Sequence, residues 1–350
     1  MNIDLRTDYL GLELANPLVP SASPLSRKLD TAKALEDAGA SALVMHSLFE
    51  EEIEADEHAF HDLAAFNDLG HGEADDYLPV HPDYTGRLDA YLEQLRRLKE
   101  ALDIPVIASL NGVTDGGWLQ HAQDLEQAGA DALELNIYYV AADIDEPAAA
   151  VEQRYVDIVR HVRQAVSLPL CIKLGSQFTS PLHFIRQLAE AGADGVALFN
   201  RFYQPDLDLV SLDVVPTLHL SSPHESLLRM HWIAMLHGRL DISLAATGGI
   251  HDAPQVAKLL LAGADVTHLC ATLLRNGPDY VHEIKRQLCH WMEDNEYASV
   301  RQLKGSVSQL HARNPAAFER ANYLEVLERY EPPLVVRARL AEPDPNPDHC

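Results

Sequence analysis

LEQAGADALEL, residues 125–135, reads as the end of a helix followed directly by a strand. Leu and Ala finish an amphipathic helix, Gly129 supplies the left-handed residue just past it, and the apolar run that follows suits a parallel strand covered on both faces. The phrase returns as LEDAGASALVM at 35–45, LAEAGADGVAL at 188–198 and LLLAGADVTHL at 259–269. A second phrase, DIPVIASLNG at 103–112 and SLPLCIKLG at 167–175, sets Pro after a helix and ahead of another apolar run, where it stops the helix at no cost to a ladder. With NPLVP at 16–20, GVALFN at 195–200 and ISLAATGG at 242–249, the strands number about eight. Helical patterns at 84–102, 117–128, 149–166, 180–191, 224–237, 252–262 and 278–294 separate them. Recurrence of one αβ unit predicts an α/β chain folded as a single (β/α)8 TIM barrel over residues 1–335.

Two segments break the alternation. Residues 49–82 carry eleven carboxylates between Glu50 and Asp76, no Lys or Arg, and the histidines His58, His61, His71 and His81. Following a strand end, the segment is expected to lie over the active face as an acidic lid, and it lacks the tight ligand spacing of a metal site. Residues 203–223 form a long connection, and the tail 336–350 is expected to be disordered.

Composition narrows the function. A chain of 350 residues, 47% hydrophobic, can bury a large core. Its formal charge of −26, with 27 Lys and Arg against 53 carboxylates, argues against nucleic acid as a partner. Cys171, Cys270, Cys289 and Cys350 form no CxxC pair, so no zinc or iron–sulfur site is read. The absence of a long apolar run or signal-peptide pattern makes a cytoplasmic protein with no membrane partner the expectation.

In a barrel the chemistry sits where strands end, and here the ends are polar: Ser21 and Ser23, His46 and Ser47, Asn111, Asn136, Lys173 and Asn200. Such a ring is hard to explain as core packing, because each group needs a buried partner. Gly248 and Gly249 precede one helix, and Ala271 and Thr272 end the last strand, so these residues are expected to converge on a phosphate. Lys173 needs an anionic or strongly accepting group, which a flavin N1–C2=O edge or a carboxylate such as Glu134 would supply.

These residues together resemble the dihydroorotate dehydrogenase family of flavin mononucleotide (FMN) barrels over about residues 3–305. LRTDYLGLELANPLVPSAS at 5–23 is similar to the family's opening LxTxxxGxxxxNP β-hairpin and the small-residue loop after it. LELNIY at 133–138, IKLG at 172–175, LFNR at 198–201, LSSP at 220–223, ATGGI at 246–250 and YASVRQLKG at 297–305 continue the likeness. The resemblance implies a flavoprotein oxidoreductase of pyrimidine metabolism acting on a CH–CH bond of a small molecule, with hydride transfer to or from flavin N5. By it, Ser21, Ala22, Ser23, Ser47, Asn111, Asn136 and Lys173 would meet the flavin ring, and Ser222, Gly248, Gly249, Ala271 and Thr272 the phosphate. His46, Asn136 and Asn200 would bind substrate.

The chain departs from the family on the substrate side. Where the family carries NxSCPN with its catalytic Cys or Ser, this chain reads NIYYVAAD, so Tyr139 takes the catalytic position and Tyr138 the one before it. A substrate-contacting Lys is replaced by His46, and the family's NxxGLPN loop by the acidic segment. Tyr139, His46 and Lys173 are therefore the catalytic candidates: a tyrosine, with a reference pKa near 10, is a poor base, and histidine is the better-tuned proton carrier. Dihydroorotate turnover is not expected. Two other readings stay open, a flavin-free phosphate-binding lyase or aldolase using Lys173 as a Schiff base, and an electron-relay flavoprotein subunit. A homodimer or a redox partner subunit is the expected protein partner.

Overall fold

The computed structural model describes residues 3–56, 86–112, 117–329 and 331. Most of the acidic segment 49–82 and the tail 336–350 lie outside them, so the lid, its four histidines and the disordered tail are not among the described features. The chain opens on an antiparallel hairpin, β1 (Thr7–Tyr9) with β2 (Leu12–Leu14), in which Tyr9 faces Leu12. There follow β3 (Leu18–Pro20), β4 (Leu43–Val44), β5 (Leu48–Phe49), β6 (Val106–Gly112), β7 (Ala132–Ile137), β8 (Leu170–Leu174) and β9 (Gly195–Leu198). A short exposed ribbon, β10 (Asp206–Leu207) with β11 (Val214–Val215), precedes β12 (Ser243–Thr247) and β13 (Val266–Leu269).

Eight of these strands run parallel in the order β3-β13-β12-β9-β8-β7-β6-β4, with β5 a second short pairing on β6. Ser41 joins the two ends, its N–H and its hydroxyl each donating to the Leu18 carbonyl at 3.1 Å. The expected (β/α)8 barrel with its N-terminal hairpin is thus the fold observed. The principal helices, Arg87–Ala101, Gly117–Gln127, Ala148–Ala165, Pro181–Ala191, Ser226–Leu236, Ala253–Ala262 and Tyr280–Asp294, fall within three residues of the sequence patterns at every end. A later helix, Arg320–Arg329, and the β10–β11 ribbon have no counterpart among those patterns.

The repeated phrase has a structural reason. Its Gly residues, 39, 129, 192 and 263, sit at φ of 96°, 95°, 111° and 121°, turning each helix into the next strand through a conformation other residues rarely adopt. The Asp that follows anchors the preceding strand of the wall. Asp131 Oδ2 accepts from Val106 N at 2.6 Å, Asp194 Oδ2 from Leu170 N at 2.8 Å, and Asp265 Oδ2 from Leu244 N at 2.7 Å. Each Asp also pairs with a cation, respectively Lys99, Arg163 and Lys304. One four-residue signature thereby satisfies the first free N–H of three strands.

Apolar residues divide between two cores. The larger lies between strands and helices, and the smaller fills the barrel axis, where Tyr9, Leu10 and Leu14 of the hairpin pack under Val19, Val44, Ile107, Ala132, Cys171, Ala197, Ala245 and Val266. Tyr9 donates its hydroxyl to Cys171 Sγ at 3.2 Å, closing one end of the barrel and leaving the strands' C-terminal mouth as the place for a ligand. Among the described residues no helix is long and apolar enough to cross a membrane.

Candidate functional site

Side chains on a strand alternate between its two faces, so the residues two places beyond the apolar axis positions point into the mouth. Ala132 is followed by Glu134 and Asn136, Cys171 by Lys173, Ile107 by Ser109 and Asn111, Val44 by His46, Val19 by Ser21, and Val266 by His268. The core therefore turns polar at one level around the ring.

Three charged or titratable groups meet there. Lys173 Nζ lies 3.2 Å from Glu134 Oε1, and Glu134 Oε2 lies 3.7 Å from His268 Nδ1, with all three side chains buried. Burial alone would lower the Lys173 pKa, but the Glu134 carboxylate outweighs it and holds the ammonium above its ordinary value. Burial drives His268 down to about 4, against the pull of Glu134, so its ring is neutral at pH 7. Both His268 nitrogens and Glu134 Oε2 are buried without a hydrogen-bond partner among the described residues.

Two adjoining cavities open above this level. One, of about 260 Å³, is lined by Ser21, Ala22, Ser23, Lys173, Arg201, Ser221, Gly248, Gly249, His268, Cys270 and Ala271, among others. The other, of about 390 Å³, is lined by Arg27, His46, Ser47, Phe49, Asn111, Asn136 and Tyr138, and shares Ala22, Ser23, Pro24, Lys173, Asn200 and Tyr203 with the first. Asn200 Nδ2 donates to Asn136 Oδ1 at 2.7 Å, which fixes both amides and leaves an amide donor on Asn136 beside a carbonyl acceptor on Asn200. Ser47 and Ser109 hydroxyls meet at 2.9 Å.

Most residues expected at the site line this cleft, and three do not. Tyr139 is turned away: its hydroxyl donates to Glu146 Oε2 at 2.6 Å and the Arg154 guanidinium lies over its ring at 4.2 Å. It is Tyr138, next to it in the chain, that faces the cleft, accepting the Tyr203 N–H at 3.2 Å. Ser222 is exposed and its N–H donates to Glu225 Oε1 at 2.9 Å, while its neighbour Ser221 lines the cavity. Thr272 is fully buried and donates its hydroxyl to the His251 carbonyl at 3.0 Å.

His46 also differs from expectation. It packs against Tyr91 with ring centroids 4.9 Å apart and shares two contacts with Ser26 Oγ, from its N–H at 2.7 Å and its Nδ1 at 3.3 Å. Burial, helped by the charge of Arg27, lowers its pKa to about 4. The ring is a neutral hydrogen-bonding group at pH 7 and not a proton carrier poised there.

The glycines at the other end line the first cavity and also serve the fold. Gly248 and Gly249 take φ of 95° and 77°. A Cβ on Gly249 would stand 2.3 Å from Ser226 N, and one on Gly248 3.0 Å from Arg229 Nη2. Both glycines are thus required by the loop and helix packed behind them, on top of any close approach by a ligand. His268, Ser221, Arg201 and Cys270 line the site, and Arg229 packs behind Gly248, without a signal of their own at the strand ends; only the step of two from Val266 points to one of them, His268.

Comparison with known proteins places the chain in a family. The family model described as dihydroorotate dehydrogenase matches residues 85–292, more than half of the chain. The chain is similar to the NAD-dependent dihydropyrimidine dehydrogenase subunit PreA of Escherichia coli (strain K12), 23% identical over 325 residues that cover 86% of this chain and 76% of the relative. It is also similar to the dihydroorotate dehydrogenase B (NAD(+)) catalytic subunit of Shouchella clausii, 25% identical over 225 residues, 62% of this chain and 73% of the relative. With dihydroorotate dehydrogenase A (fumarate) of Lacticaseibacillus paracasei it shares 30% identity over 174 residues, 46% of this chain and 57% of that protein.

Proposed function

The chain belongs to the dihydroorotate dehydrogenase family, and from that premise we propose that it is an FMN-dependent oxidoreductase acting on a CH–CH bond of a small cyclic amide such as a dihydropyrimidine. The observation that carries this reading is the two-lobed cleft at the barrel mouth, one lobe of about 260 Å³ ending at Gly248 and Gly249, the other of about 390 Å³ lined by three Asn amides. Lys173 stands where the lobes join. The residues present fit FMN: the unpartnered nitrogens of buried His268 and the small wall of Ser21, Ala22 and Ser23 leave both room and hydrogen-bonding capacity for a flat polar ring.

FMN, when bound, supplies a ring N5 that accepts or returns the hydride of the substrate. Lys173 offers a fixed ammonium to the ring edge, Ser47 and Asn111 line the same wall, and Gly248, Gly249 and Ala271 line the phosphate end. The donor on Asn136 and the acceptor on Asn200 match the carbonyl and N–H that a cyclic amide presents side by side. His46 closes the pocket as a neutral hydrogen-bonding group. Tyr138 is the group placed to give a proton, because its oxygen accepts from Tyr203 N and its own O–H is free to point at the cleft.

A Schiff-base role for Lys173 needs a neutral amine, and Glu134 favours the charged one. Two of the relatives are subunits by name, which favours a redox partner subunit over a homodimer for this chain. Purified protein should be yellow and release FMN on denaturation, and anaerobic addition of 5,6-dihydropyrimidines should bleach it. A colourless protein that takes up no added FMN sinks the reading.

A further inference from the structure

The glycine end of the cleft holds positive charge that the chain does not balance. Arg229 is buried, and its donors all go to main-chain carbonyls: Nε to Thr247 at 2.9 Å, Nη1 to Glu225 at 2.9 Å and Nη2 to Phe199 at 3.2 Å. Among the described residues no carboxylate lies within 4.0 Å of it. The neighbouring carboxylate, Glu225, is committed to Arg201 Nε at 3.2 Å and to Ser222 N at 2.9 Å. Two guanidinium groups, Arg229 and Arg201, therefore share the Glu225 carboxylate, in a chain whose net charge is −26. Burial lowers the Arg229 pKa and only Glu225 opposes it. A buried cation of this kind is costly unless an anion comes near.

We infer that Arg229 is the counter-charge of the phosphate subsite, a positioning residue fixed behind Gly248 that makes this end of the cleft select phosphorylated over unphosphorylated ligands. The inference rests on the FMN reading for its ligand but not for its physics. The guanidinium packs against the far side of Gly248, 3.0 Å from where a Cβ would stand, while Gly248 and Gly249 line the cavity. It need not touch a ligand, since a unit charge in a partly dry site acts across a peptide unit. The three carbonyl bonds serve the same end by holding the ends of β9 and β12 and the 222–226 turn around one point.

The test is selectivity, which a merely structural residue would not change. Apoprotein is titrated with FMN and with riboflavin, for wild type, Arg229→Gln and Arg229→Lys, with circular dichroism to check folding. Arg229→Gln should weaken FMN by at least about tenfold and riboflavin by no more than about twofold, while Arg229→Lys should recover most of the FMN affinity. Parallel loss of both ligands, or failure of both variants to fold, overturns the inference and makes Arg229 a strut. If wild type binds neither flavin, the FMN reading fails by itself. A rise in melting temperature with inorganic phosphate, present in wild type and absent in Arg229→Gln, would still sustain the subsite, and no such rise would end it.

Discussion

Lys173 and Glu134 form a buried ion pair at the floor of the barrel mouth, 3.2 Å from Nζ to Oε1. The pair is placed by adjoining strands, β7 and β8, each of which presents an apolar residue to the barrel axis two positions earlier. It holds the ammonium where the two lobes of the cleft join.

Removing one partner leaves the other charge buried, so Glu134→Gln should destabilise the protein by about 3–5 kcal/mol. The double change Glu134→Gln with Lys173→Met should recover much of that loss. Urea unfolding of the single and double variants measures both, and additive losses would show that the two groups do not depend on each other.

His268 sets a pH dependence with a definite sign. Its folded-state pKa, about 4, lies below the unfolded 6.5, so between these values the unfolded chain binds the extra proton and stability rises with pH. The full contribution is present above about 6.5 and is lost as pH falls toward 4; a gap of this size corresponds to roughly 3 kcal/mol. His46, with a similar shift, adds in the same direction. His268→Gln should therefore flatten the rise of unfolding free energy between pH 4.5 and 6.5 by up to one proton's slope. An unchanged slope would assign the dependence elsewhere.

Gly249→Ala should damage the fold and not merely the ligand site. A methyl group there would stand 2.3 Å from Ser226 N and demand a positive φ of 77° from Ala. A loss of at least about 2 kcal/mol is expected, since both a backbone clash and left-handed strain are introduced. Thermal melts decide it: a variant as stable as wild type means that the 222–226 turn can yield.

Much of the barrel is legible in the sequence because its signals are local. The AGAD phrase carries its own helix stop and its own strand anchor, as Asp131, Asp194 and Asp265 show by bonding an N–H of the first or second residue of a neighbouring strand. Strand-end residues such as Asn136, Lys173 and Asn200 are legible too, since a polar side chain that closes a buried apolar run must find a partner in the barrel mouth. What is not legible depends on contacts between distant segments. Tyr139 is drawn off by Glu146 and Arg154, Thr272 by the His251 carbonyl, and His46 is desolvated against Tyr91. Arg229, some thirty residues from the carbonyl of Phe199 that it binds, looks in sequence like any cation on a helix.

Dihydroorotate should be a poor substrate. The position that matches the family's catalytic Cys or Ser is held by Tyr139, whose hydroxyl is bonded to Glu146 at 2.6 Å and does not line the cleft. His46, with a pKa lowered to about 4, is too weak a base to replace it. Proton removal from substrate carbon should therefore be slow, because loss of a positioned base typically costs about 10²–10⁴-fold. Flavin-loaded protein should bleach slowly with dihydroorotate in stopped-flow, and Tyr139→Cys should restore little while Glu146 and Arg154 keep the loop as it is. In the reductive direction the roles change, since a tyrosine hydroxyl is a competent acid. Tyr138→Phe should slow reduction of an unsaturated cyclic amide by about 10²-fold or more, and Tyr139→Phe should leave it within a few-fold. Rapid bleaching of the unmodified protein by dihydroorotate, or equal losses from Tyr138→Phe and Tyr139→Phe, would refute this division of roles.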